Sequence, residues 1–215
     1  MVNSVKNVLI IGGTGLIGSN LTERFLNEKC KIVVTGSKTN LARSLSDMIT
    51  YIQLDITDIK SFDIFFDRLL EVFSYVDVLI YSVGVHMSVK YTHISEEEFN
   101  SCIGTGIKGL YFFIQKFVRF YSNKRKCKII VINSIAAFLP AITPNQISKW
   151  AMRGFVKGIS QEIQAEGFDI WGVAPHRIVS VPKNENETGI DSLVDIIFKI
   201  IRSDIVSEKG DTIIC

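Results

Sequence analysis

The chain has 215 residues, 47% of them hydrophobic, with 24 basic residues against 22 acidic ones for a formal net charge of +2. This is enough apolar content for one sizeable core, and no linker-like stretch divides it, so a single domain over residues 1–215 is expected. A charge so near balance creates no field for nucleic acid or an acidic membrane, and the basic cluster Lys124-Arg-Lys-Cys-Lys128 reads as a solvated loop.

Cys30, Cys102, Cys127 and Cys215 show neither paired spacing nor a Cys-x-x-Cys, which argues against a disulfide framework and a zinc site. Met1–Lys6 lacks the apolar core of a signal peptide, and the apolar run Ile129–Ile142 is interrupted by Asn133, Ser134 and Pro140. A soluble, cytoplasmic protein without metal, membrane or nucleic-acid partner is expected.

The first element is Val8-Leu-Ile-Ile-Gly-Gly-Thr-Gly-Leu-Ile-Gly18, in which an aliphatic strand runs into Gly12, Gly15 and Gly18 and then into the amphipathic run Leu21, Phe25, Leu26. Gly12 lets the backbone turn, Gly15 lets it approach a pyrophosphate, and Gly18 lets the helix pack on the strand. Further strands are expected at Lys31–Gly36, Tyr51–Asp55, Val76–Gly84, Lys128–Asn133, Asp169–Val173 and Thr212–Ile214. Helices are expected up to about Glu28, across Phe62–Phe73, continuously from about Glu96 to Tyr121, from about Gln146 to Ala165, and over Ser192–Arg202. Strand and helix alternating throughout predict an α/β fold, a doubly wound parallel sheet of Rossmann type.

Read together, further motifs sharpen this expectation. Leu54-Asp55, Tyr81-Ser-Val-Gly84, Ile132-Asn-Ser-Ile-Ala-Ala137, Ser148-Lys-Trp-Ala-Met-Arg-Gly-Phe155 and Val173-Ala-Pro175 follow the glycine turn in order. In order and spacing they resemble the short-chain dehydrogenase/reductase family from about Val5 to Pro175. The resemblance implies an NAD(P) cofactor held by Gly12, Thr14, Gly15, Leu16, Ile17, Gly18, Asp55, Ile56, Ser82, Gly84, Lys149 and Pro175. It implies that Ser134 bonds a substrate oxygen, and that Lys149 holds the nicotinamide ribose.

Three positions depart from the family pattern. The tyrosine that the family places four residues before the lysine is Asn145 here, and Tyr121 is the last tyrosine of the chain. An amide donates a hydrogen bond but does not ionise near neutral pH, so Asn145 is no general acid. The family's asparagine in the preceding helix is Gly106 here. Histidine titrates in the right range, and His86 and His176 lie just past strand ends, with His93 in the following loop. His176 is the preferred substitute because it occupies a family glycine position beside the nicotinamide.

The second strand ends in Thr35-Gly-Ser-Lys-Thr39 without the acid that would bind a ribose 2′-hydroxyl, whereas Ser37 and Lys38 suit a 2′-phosphate. NADP is therefore favoured over NAD. The short polar stretch Lys183–Thr188 implies an open site suited to a small-molecule or carrier-tethered substrate. Two readings stand: an NAD(P)-dependent oxidoreductase of a carbonyl/hydroxyl pair with atypical acid/base residues, or a catalytically silent cofactor-binding subunit or sensor. A homodimer or homotetramer is expected through the two long helices, which carry Leu110, Phe113, Phe117 and Phe120 on one and Trp150, Phe155 and Ile159 on the other.

Overall fold

The computed structural model describes residues 7–38, 47–85, 90–179, 182–205 and 207–215. In chain order these contain β1 (Asn7–Ile11), α1 (Leu16–Asn27), β2 (Lys31–Gly36), β3 (Ile49–Gln53), α2 (Phe62–Val72), β4 (Val78–Tyr81), α3 (Glu96–Ile103), α4 (Gly109–Tyr121), β5 (Cys127–Ile132), α5 (Pro144–Gln164), β6 (Phe168–Ala174), β7 (Arg177–Val179), β8 (Glu187–Gly189), α6 (Ile190–Arg202) and β9 (Thr212–Ile214). Seven strands form one sheet in the order β3-β2-β1-β4-β5-β6-β9. All its pairings are parallel. The chain winds outward from β1 to β3, returns past β1 to β4, and winds outward again: a doubly wound α/β domain.

Strand alternation divides the core into two layers. Leu9, Ile11, Val33, Leu79, Tyr81 and Ile129 face α2, α4 and α5, while Val8, Ile10, Ile32, Val78, Ile80 and Ile130 face α1 and α6. The first layer is aromatic. Phe113 lies 5.7 Å from Phe62, 5.8 Å from Phe65, 5.2 Å from Phe66, 6.2 Å from Tyr81 and 6.4 Å from Phe117, centroid to centroid.

Two expectations need correction. The helix from Glu96 to Tyr121 is not continuous: α3 and α4 are separated by a π-turn at Gly104–Lys108. Gly104 and Gly106 weaken helix propensity there, and the Ile107 N–H donates to the Ser148 hydroxyl at 3.2 Å. Leu110, Phe113 and Phe117, expected on a subunit-pairing face, are fully buried beneath α4, and Phe120, Phe155 and Ile159 pack against the same core. Of that set Trp150 alone is largely exposed. Beyond β6, β7 and β8 form a separate parallel pair of three residues each, with Arg177 opposite Glu187, which was not expected. Strands so short carry no periodicity to read. Among the described residues no helix is long and apolar enough to cross a membrane.

Candidate functional site

Where the strand order reverses, between β1 and β4, the loops leaving the strand carboxyl ends diverge and open a cleft. Its volume is ≈ 430 Å³, and it is lined by residues following β1 (Gly12, Thr14, Gly15), β2 (Ser37), β3 (Asp55, Ile56, Thr57) and β4 (Ser82, Val83, Gly84, Val85), together with Thr105 of the π-turn. The sequence-derived candidates Gly12, Thr14, Gly15, Ser37, Asp55, Ile56, Ser82 and Gly84 are thus brought together on one cleft.

The glycines of the turn differ in what requires them. Gly12 has φ +80°, and a Cβ there would lie 2.5 Å from the Ser82 carbonyl oxygen. Gly18 sits in the first turn of α1 against the preceding loop, where a Cβ would lie 2.2 Å from the Gly12 oxygen. Its contact is thus the turn itself rather than the body of the strand. Gly15 is different. It is exposed, its φ is −79°, and an added Cβ would meet only the Gly12 oxygen at 3.4 Å, so neither packing nor backbone conformation demands a glycine. As N-cap of α1 it offers no side-chain acceptor, and no acid occupies the first turn. The amides of Leu16 and Ile17 therefore begin the helix without a side-chain partner, at its positive end.

The rest of the rim is fastened from behind. Thr35 Oγ1 accepts the Gly12 N–H at 3.1 Å, which ties the turn to β2. The Tyr51 hydroxyl donates to the Gly36 carbonyl at 2.8 Å and also to that of Lys38, and Gln53 Nε2 donates to the Ser37 carbonyl at 3.1 Å. The side chains of Ser37 and Lys38 are left exposed. Asp55 Oδ1 accepts from the Thr57 N–H at 2.9 Å and its hydroxyl at 2.7 Å, an Asx turn that orients the carboxylate at the rim. Thr35, Tyr51, Thr57 and Thr105 escaped sequence reading. For Thr35 the available signal was a lone hydroxyl in an otherwise aliphatic strand.

A second group lies where β4, β5 and β6 end. Lys149 of α5 is 8% exposed; its Nζ donates to the Ile132 carbonyl at 3.4 Å and would lie 3.4 Å from a Cβ on Gly84. Burial lowers its pKa from the ordinary 10.5 to about 8. Asn133 links the neighbours: its Nδ2 donates to the Lys149 carbonyl at 3.2 Å, and its Oδ1 accepts the Ser134 N–H at 3.0 Å. Ser134 Oγ accepts the Ala136 N–H at 3.2 Å and caps a short 3-10 turn, which leaves the hydroxyl proton available to donate. Pro175, buried after β6, accepts the Ile135 N–H at 2.9 Å and holds that turn against the sheet.

Asn145 lies in the first turn of α5, after the Thr143 capping box and Pro144 at N1, and stands one helical turn before Lys149. His176 is held by its backbone N–H, which reaches the Cys215 carbonyl at 2.9 Å and Thr188 Oγ1 at 3.0 Å. His93 lies exposed on a separate turn with Nδ1 2.9 Å from Thr92 Oγ1, and His86 lies outside the described residues. Burial raises the thiol pKa of Cys30 and Cys215 to about 11 and pushes those of Cys102 and Cys127 up as well, so these sulfurs are poor nucleophiles at neutral pH.

The buried ammonium of Lys149 makes stability depend on pH. Between about 8 and 10.5 the unfolded chain holds a proton that the folded chain has released, so this group's contribution to stability rises with pH across that window, against the opposite contribution of the buried thiols above about 9. Below about 8 both states hold the proton, and the cost of burying the charge is constant. Lys149→Met is therefore expected to raise Tm at neutral pH, with an advantage that narrows as pH rises through the window. An advantage independent of pH, measured by thermal unfolding across the range, would contradict the charged burial.

Residues 6–189 match the family model described as short chain dehydrogenase. The 3-oxoacyl-[acyl-carrier-protein] reductase FabG of Escherichia coli is 24% identical over 176 residues, which covers 79% of this chain and 72% of that protein. The NADP-dependent (R)-specific alcohol dehydrogenase of Lentilactobacillus kefiri is 25% identical over 174 residues, covering 77% and 69% respectively. Among solved structures, a short chain dehydrogenase from Leptospira borgpetersenii with bound NAD+ superposes with a TM-score of 0.87 at 22% identity, covering 98% of this chain and 91% of that one. ElxO with NADP bound superposes with a TM-score of 0.85 at 23% identity, covering 98% and 96%.

Proposed function

Because the chain belongs to the short-chain dehydrogenase family, we propose that it is an NAD(P)-dependent oxidoreductase whose cleft between β1 and β4 binds the dinucleotide. The observation that carries this reading is Gly15. A bare, exposed position that the protein's own packing does not require, at an uncapped helix start without an acid, fits the close approach of a pyrophosphate. Gly12, Thr14 and Gly18 shape that turn, and the amides of Leu16 and Ile17 face the anion.

The remaining assignments follow the cleft. Asp55 and Ile56 take the adenine side, Ser82 and Gly84 border the middle, and Lys149 and Pro175 take the nicotinamide end. Ser37 and Lys38, exposed on a loop whose carbonyls are held by Tyr51 and Gln53, suit a 2′-phosphate and favour NADP over NAD. The bound cofactor supplies or accepts a hydride, and Ser134 donates a hydrogen bond to the carbonyl oxygen of a small-molecule or carrier-tethered substrate. His176 is the proposed proton donor in place of the missing phenol. A specific observation favours the catalytically silent alternative: no tyrosine follows Tyr121, so no shift of register along α5 supplies a phenol in place of Asn145. Fluorescence titration with NADPH and NADH, followed by oxidation of NADPH against a ketone panel, separates the readings. Binding with turnover supports the enzyme, binding without turnover the silent relative, and no binding contradicts both.

Assembly through α4 and α5 belongs to the same proposal, on a surface other than the buried rows. Between these helices runs a groove of ≈ 460 Å³ lined by Tyr111, Val118, Phe155 and Ile159 among others, and Tyr111 is 45% exposed. Sedimentation at micromolar concentration is expected to give a dimer or tetramer, and a monomer would contradict the pairing.

A further inference from the structure

The π-turn Gly104–Lys108 brings Thr105 to the cleft wall, and it is clamped from three sides. From β4, the buried Tyr81 hydroxyl donates to the Thr105 carbonyl at 3.2 Å. From the segment after β3, Ile56 closes on Gly109, where a Cβ would lie 2.9 Å from the Ile56 carbonyl oxygen. From α5, Ser148 Oγ accepts the Ile107 N–H at 3.2 Å. Ser148 is 2% exposed and sits so tightly over Gly106 that a Cβ there would lie 1.9 Å from its Oγ.

These contacts give Ser148 two tasks. Where a helix widens into a π-turn the hydrogen-bond ladder changes step, and an amide there needs an acceptor from elsewhere. The Ser148 hydroxyl is that acceptor for Ile107, and it fills the space beside Gly106 that a side chain would otherwise take. Ser148 also immediately precedes Lys149. The helix that carries the buried ammonium is thereby fastened to the opposite wall of the cleft.

We propose that Ser148 is a positioning residue of the cleft: its hydroxyl, seated against Gly106, sets the π-turn and so places Thr105 at the dinucleotide-binding wall. The proposal rests on the dinucleotide reading of the cleft. It requires Gly106 to stay bare, so that position 106 and position 148 share one side-chain volume between two helices.

Amide exchange and dinucleotide titration on Ser148→Ala test this together. Exchange at residues 104–108 is expected to rise at least about fivefold over wild type while that of the distal half of α4 is unchanged, and NADPH affinity is expected to fall roughly fivefold. Unchanged exchange at the π-turn, or raised exchange with wild-type affinity, overturns the role of Ser148. A second pair guards against a general loss of folding: Gly106→Ala and Ser148→Gly are each expected to lower Tm, and the two together to lower it by less than the sum of the single losses, because the second removes the group that the first collides with. Losses that add in the double variant contradict the shared volume. A wild type that binds neither dinucleotide overturns the reading of the cleft itself, and this is seen before any variant is compared.

Discussion

In a His176→Ala background, which removes the proposed proton donor, Asn145→Tyr is expected to raise the rate of ketone reduction by ~10²–10⁴-fold, the contribution typical of a positioned general acid. Residues 145 and 149 are one turn apart on α5, so a phenol at 145 would share a helix face with the Lys149 ammonium. A neighbouring positive charge favours the phenolate and moves the phenol toward a useful pKa. The substitution is at the second position of the helix, after the Thr143 cap and Pro144 are already in place, and asks nothing new of the backbone. Gly106 should stay as it is, because a side chain there meets the Ser148 hydroxyl, so adding the family's asparagine alongside is expected to cost stability rather than complete the site. The measurement is NADPH oxidation on a ketone panel. Dinucleotide binding retained without any gain in rate would show that position 145 does not face the reacting oxygen.

Phe113→Ala is expected to destabilise the fold by about 3–5 kcal/mol, a large share of the ~5–15 kcal/mol that holds a typical domain together. Phe113 has no exposure and touches rings from α2, β4 and α4, so its removal leaves a void that those elements cannot all move to fill. Ile64, on the outer face of α2 and 61% exposed, is the control, and Ile64→Ala is expected to change stability by less than about 0.5 kcal/mol. Denaturant unfolding measures both. Similar losses for the two variants would contradict the division of α2 and α4 into buried and outer faces.

The parallel sheet was legible because its strands are aliphatic runs that need cover on both faces, and because helix-period spacing separates them. The interruption of the long helix was not. Gly104 and Gly106 lie within an otherwise helical run, and the π-turn depends on Ser148, which is 41 positions from the amide it receives. The aromatic rows of α4 were misassigned for a related reason. Periodicity shows that Leu110, Phe113 and Phe117 share a face, but whether sheet or subunit covers that face depends on how deep the aromatic layer runs, which only the packing shows.

The site divides in the same way. Gly12, Asp55, Ser82 and Gly84 follow strand ends in short motifs and were readable from them, and the fold gathers them on one cleft. Thr35 and Thr105 line the same cleft from a strand interior and a helix distortion, which no local motif marks. Lys149 was recognisable by its place in a motif, yet the burial that lowers its pKa arises from the meeting of α5 with the ends of β4 and β5.

The central claim, that the turn after β1 receives the pyrophosphate of a nicotinamide dinucleotide, is tested most directly by titrating NADPH into wild type and Gly15→Val. Because an added Cβ meets only one atom at 3.4 Å, the variant is expected to fold, losing about 1 kcal/mol because valine replaces glycine at the N-cap of α1. Its affinity should nevertheless fall at least about tenfold, or ~1.4 kcal/mol, as the side chain enters the space the pyrophosphate needs. Wild-type affinity in a folded Gly15→Val would contradict the claim.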